Sequence, residues 1–86
     1  MTDILAVFRS RSQAIDCNAK LRAFRIPSSL INTPSELNIG CGLSVKIPQN
    51  FFERAMRIVI NGRYSAFYGF FKMQNGYGRP TFGRLK

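Results

Sequence analysis

Asp3-Ile4-Leu5-Ala6-Val7-Phe8-Arg9-Ser10-Arg11-Ser12-Gln13 changes its hydrophobic period within one short stretch. The first half is a continuous apolar run, the pattern of a strand buried on both faces. Arg9 closes the run, and Ser10 to Gln13 has the spacing of a capping box. The Ser10 hydroxyl is expected to accept an orphan amide of a first helical turn, and the Gln13 side chain to reach back to the cap. The helix that follows is expected to about Arg25. Ala14, Cys17, Leu21 and Phe24 recur at helical spacing and form one face, which puts Cys17 on the core side as a small apolar residue. Ile26-Pro27 stops the helix, because proline disfavours helical geometry in the residue before it.

Working outward, Ser28 to Thr33 reads as a second strand ended by Pro34. Leu43-Ser44-Val45-Lys46-Ile47 alternates cleanly, with Leu43, Val45 and Ile47 facing a core. Asn50-Phe51-Phe52-Glu53 repeats the capping-box spacing, and a helix with a wide apolar arc runs to Asn61-Gly62, a good C-terminal stop. Tyr64 to Phe71 is a final strand, aromatic on both faces. The order β-α-β-β-α-β predicts an α+β, ferredoxin-like sandwich. Right-handed crossovers make it an antiparallel four-stranded sheet with strand 1 beside strand 3 and both helices on one face. Residues 1–74 are then a single domain, and residues 75–86 a basic, glycine-rich C-terminal arm without periodicity.

The chain has 86 residues, enough for one small domain, and 45% of them are hydrophobic, normal for a globular core. So small a core makes a protein partner or a homodimer a reasonable expectation. There are 13 Lys+Arg against 4 Asp+Glu, a formal charge of +9, which favours acidic partners or nucleic acid. The absence of histidine removes the usual general base and the commonest metal ligand. Two distant cysteines without histidine make no zinc site, so neither metal nor cofactor is expected. Pairing of Cys17 with Cys41 stays open from sequence. No apolar run approaches a secretory signal or a membrane span, so a cytoplasmic protein with reduced thiols is expected.

The candidate site is the loop Ser35 to Leu43, where Cys41 stands between Gly40 and Gly42. Glycine on both sides strips away neighbouring side chains and leaves the thiol reachable; the same stretch also reads as a glycine-rich turn around a small apolar residue. In the expected topology this loop lies beside the start of helix 1. The orphan amides there, with the charges of Arg9 and Arg11, favour a thiolate and an anionic ligand. Arg9, Ser10, Arg11, Gly40 and Gly42 are therefore the expected anion-binding residues, and Cys41 the reactive one. The chemistry suggested is a nucleophilic or carrier thiolate in a small cationic pocket.

Phe8-Arg9-Ser10, Ala14, Leu21, Ile26-Pro27, Ile31-Asn32-Thr33-Pro34 and Gly40-Cys41-Gly42-Leu43 carry a resemblance. The chain is similar to a family of small bacterial proteins described as selenium/sulfur-carrier-like, over roughly residues 4 to 47. The resemblance implies that Cys41 is the carrier thiol, a persulfide or selenopersulfide site, with Ser10 and the glycines shaping its pocket. The Cys-Pro-x-Pro step of better understood sulfur-transfer proteins is missing.

Two other functions compete. A basic RNA-binding module would share the fold class, but such domains stack bases on aromatics of strands 1 and 3, and here the aromatics gather on strand 4. A non-catalytic interaction subunit would use the apolar arc of helix 2 with Tyr64, Tyr68, Phe70, Arg79, Arg84 and Lys86 against another chain. Acid-base catalysis is the least favoured, since the few carboxylates form no visible couple.

Overall fold

The computed structural model describes residues 2–37, 42–76 and 79–85. Its elements are β1 (Thr2–Phe8), α1 (Arg11–Ala23), β2 (Ser29–Asn32), β3 (Leu43–Pro48), α2 (Phe52–Asn61), β4 (Phe67–Gly76) and β5 (Arg79–Arg84), with short 3-10 turns at Ser35–Leu37 and Gln49–Phe51. The sheet order is β2-β3-β1-β4-β5, and every pairing is antiparallel. The first four strands and the two helices make the expected ferredoxin-like sandwich, with β1 in the centre beside β3. What the sequence did not announce is β5. A tail of glycines, proline and cations has no hydrophobic period, yet its backbone pairs with β4 from Phe71 opposite Arg84 to Gly76 opposite Arg79. The edge of β4 supplies that ladder through main-chain groups, whatever the side chains.

Both helices cover one face. Ala14, Cys17 and Leu21 of α1 and Ala55 and Val59 of α2 pack on Ile4, Ala6, Phe8, Val45, Ile47 and Phe70. The other face buries Leu5, Val7 and Phe71 with help from Ile31, Leu37, Tyr68 and Met73. The run Ile4 to Phe8 is thus buried on both sides, as its composition requires. β4 changes phase on the way. Val7 pairs Gly69 while Phe8 pairs Phe67, which leaves Tyr68 as the extra residue of a bulge. That insertion sends Phe67 and Phe70 to the helix side and Tyr68 and Phe71 to the other.

The helix ends differ from expectation in detail. Ser10 is the N-cap of α1 and its Oγ accepts the Gln13 amide at 3.3 Å. The Gln13 side chain does not reach back. It donates to Ser65 Oγ at 2.9 Å and accepts the Ala66 amide at 2.8 Å, tying α1 to the start of β4. The second capping box does not form: the residue capping α2 is Phe51, without a side-chain hydrogen bond, because a 3-10 turn occupies Gln49–Phe51. α1 ends at Ala23 rather than Arg25. Arg25 takes the left-handed φ of 62°, its amide donates to the Arg22 carbonyl and that of Ile26 to the Leu21 carbonyl. This is a Schellman closure with arginine where glycine is usual. At the end of α2, Gly62 is still helical, and the left-handed residue is Arg63.

Candidate functional site

Three chain segments meet at the end of the sheet where β1 finishes. Phe8 lies opposite Leu43, the first residue of β3. Gly42 is buried here, and a Cβ on it would stand 2.7 Å from the Phe8 carbonyl oxygen and 3.3 Å from Thr33 Oγ1. Only glycine permits so close an approach of two backbones. The Gly42 carbonyl accepts the Thr33 amide at 3.0 Å, and Thr33 Oγ1 lies 2.9 Å from Ser44 Oγ. Gly42 is thereby clamped between the end of β1 and the end of β2. Cys41 and Gly40 lie outside the described residues.

From Phe8 the chain passes directly into the start of α1. Ser10 Oγ, besides accepting the Gln13 amide, lies 3.0 Å from Ser12 Oγ. Arg11 is the first helical residue and is exposed, and the first turn holds no acidic residue. The positive end of the helix dipole is therefore not offset by a carboxylate of its own first turn. Arg9 goes elsewhere. The Phe8 side chain joins the helix-side core, so the next residue turns to the opposite face, where the Arg9 guanidinium carbon sits 4.8 Å from the Tyr68 ring centroid. Its charge is at the correct end of the sheet but held over an aromatic ring, a contact worth about 0.5–1 kcal/mol at an exposed site.

Residues 3–68 match the family described as "Putative Se/S carrier protein-like". The chain belongs to this family. The match runs beyond the segment that carries the sequence resemblance, through α2 into the first residues of β4. No curated protein and no solved structure matches the chain. Membership in this carrier-like family directs attention to the thiols, and the described one is Cys17. It is free, wholly buried on the inner face of α1, and burial pushes its thiol from 9.0 up to about 12. A thiol so placed stays protonated and packs as a small apolar residue.

Among the residues expected to meet a partner, Phe70 is withdrawn: it is fully buried beneath Phe52 and Phe67, with ring centroids 5.2 and 4.9 Å away. It points inward because the bulge at Tyr68 resets the alternation of β4. Tyr64 lies before β4 and edges onto Phe8 at 5.4 Å, while its hydroxyl donates to Asp16 Oδ2 at 2.7 Å. Burial, then that hydrogen bond, raises its pKa above the ordinary tyrosine range. Tyr68 stacks parallel to Phe71 at 5.9 Å under Arg9. The backbones of Arg79 and Arg84 belong to β5, and Lys86 lies outside the described residues.

Sequence reasoning missed Thr33, whose hydroxyl borders Gly42, and the role of Gln13 as a tie to β4. The first had no local signal; the second was hidden by a capping-box spacing that fits equally well. Among the described residues no cluster of His, Cys, Asp and Glu suits a metal ion, and no helix is long and apolar enough to cross a membrane. On the helix-free face Leu5 and Val7 of the central strand are completely buried, so neither is open to a stacked base.

Proposed function

We propose that the protein carries a sulfur or selenium atom on Cys41, held as a thiolate in a small cationic pocket at the start of α1, and hands it to a protein partner. The observation that carries this reading is the clamp on Gly42. The residue covalently joined to Cys41 is packed on the Phe8 carbonyl, two residues before the cap of α1. Family membership supplies the atom to be carried. Arg11, the free amides of the first turn and the hydroxyl of Ser10 supply the electrostatics that favour sulfur as an anion. Arg9 adds charge from its place over the Tyr68 ring, and a glycine on each side of Cys41 brings no side chain of its own.

In this reading the Cys41 thiolate attacks the terminal sulfur or selenium of a donor persulfide or selenopersulfide. A new bond forms from Cys41 Sγ to that atom, and the donor's own thiolate leaves with the electron pair of the bond that breaks. Handing on is the same displacement by an acceptor nucleophile. The donor sets the oxidation state of the atom, so no further redox partner is consumed.

The native protein provides its own control, because Cys17 is sealed and protonated. Iodoacetamide on the folded chain is expected to modify Cys41, with a pH midpoint below the free-thiol value of about 8.5. Incubation with cysteine persulfide is expected to add the mass of one sulfur to the Cys41 peptide. That gain should persist in Cys17→Ser and vanish in Cys41→Ser. A Cys41 that alkylates like a free peptide thiol and takes up no sulfur would overturn the proposal.

A further inference from the structure

The surface of the helical layer has properties that the carrier chemistry does not use. A cavity of about 190 Å³ opens between the C-terminal halves of α1 and α2, lined by Lys20, Phe24, Ile58, Asn61 and Gly62. An apolar cavity of about 150 Å³ accepts a benzene ring, so this one has room for a single apolar side chain. A large hydrophobic group stands exposed at its edge: Phe24, which lines the cavity, is 54% exposed. The rim is cationic. Lys20 is exposed and reaches over the Tyr64 ring at 5.4 Å, and Arg25, Arg57 and Arg63 are exposed next to lining residues in sequence. Asp16, one turn before Lys20, is engaged by the Tyr64 hydroxyl.

Backbone strain singles out the same rim. Among the described residues the non-glycine ones at positive φ are Arg25, directly after Phe24, and Arg63, directly after Gly62. Both stand where a helix closes and where glycine would be easier. Strain retained in a non-glycine residue points to a use for its side chain. Here the use common to both positions is positive charge beside an apolar notch.

We propose that this groove docks an acidic segment of a partner protein, which seats one apolar side chain between Phe24 and Ile58 while its carboxylates meet Lys20, Arg25, Arg57 and Arg63. Charge complementarity selects the occupant. A second copy of the chain brings another +9 and is repelled. A nucleic acid would engage the cations but has no need of an exposed Phe24 beside a one-residue notch. The inference goes beyond the carrier reading and does not depend on the chemistry of Cys41.

The test uses the full chain labelled with 15N and two synthetic peptides of Glu and Asp, one with a central Leu and one with Ser in its place. The Leu peptide is expected to bind in low salt and shift the amides of Lys20, Phe24, Ile58 and Gly62. Phe24→Ser should weaken binding by about tenfold or more with unchanged circular dichroism. The double variant Arg25→Gly and Arg63→Gly, which relieves the strain, should melt at the same or a higher temperature yet lose affinity for the peptide. The proposal fails if the Ser peptide binds equally well, or if the amides shift elsewhere. It also fails if oligouridylate takes the groove more tightly, if the protein dimerises through Phe24, or if neither peptide binds.

Discussion

Cys17 shows what a single buried group does to the whole stability curve. Burial penalises the thiolate and pushes its thiol from the ordinary cysteine range up to about 12. Below about pH 9 the thiol is protonated in both states and costs nothing. Above it the unfolded chain releases the proton while the native one retains it, so stability falls with rising pH, by up to about 1.4 kcal/mol per unit. Cys17→Ala should flatten that alkaline decline between pH 9 and 11, measured as urea midpoints of the two proteins, at the expense of a small cavity. Tyr64, raised in the same direction, adds a part of the decline that the substitution leaves in place. Gly42 is the opposite kind of residue. Its importance lies in having no side chain, since a methyl group would collide with the Phe8 carbonyl.

At the scale of elements, two identical-looking caps behave differently. Ser10 and Asn50 both sit three residues before a Gln or Glu, but the structure uses only Ser10. Ser10→Ala is expected to cost about 1 kcal/mol, as for a working N-cap. Asn50→Ala should stay within about 0.5 kcal/mol, as for a surface position without such a role. Equal losses in chemical denaturation would show that the 3-10 turn before α2 gives way to the capping box in solution. The bulge at Tyr68 is the other element-level device. By adding one residue opposite Phe8 it lets a single aromatic strand serve two faces, Phe67 and Phe70 inward under the helices and Tyr68 and Phe71 toward the opposite side. Arg9 then finds Tyr68 on its own side of the sheet.

The molecule as a whole is a small, strongly charged sandwich. A charge of +9 on 86 residues repels itself most in the compact state. Salt shortens the reach of that repulsion from roughly 30 Å at 0.01 M to about 3 Å at 1 M. The melting temperature is therefore expected to rise when sodium chloride is added, in contrast to a protein held by surface ion pairs. A fall on adding salt would mean that attractive pairs outweigh the excess cations. The same excess orders the two proposed surfaces: the anion pocket at the start of α1 and the groove at the far ends of the helices both address acidic partners, from opposite ends of α1.

The amino-acid order alone determined the four core strands, the two helices and their sandwich, because local hydrophobic period and breaker residues carry that information. Ile4 to Phe8 reads as a doubly buried strand, and Ala14, Cys17 and Leu21 face inward together as their spacing predicts. Phe24, the fourth residue of that face, is instead 54% exposed because α1 closes at Ala23. The tertiary structure decided what depends on partners distant in sequence. β5 exists because β4 offers it an open edge, Phe70 is internal because of a one-residue bulge, and Gln13 serves β4 because Ser65 and Ala66 lie beside it. The groove at Phe24 likewise arises only when two helix ends, far apart along the chain, are laid side by side.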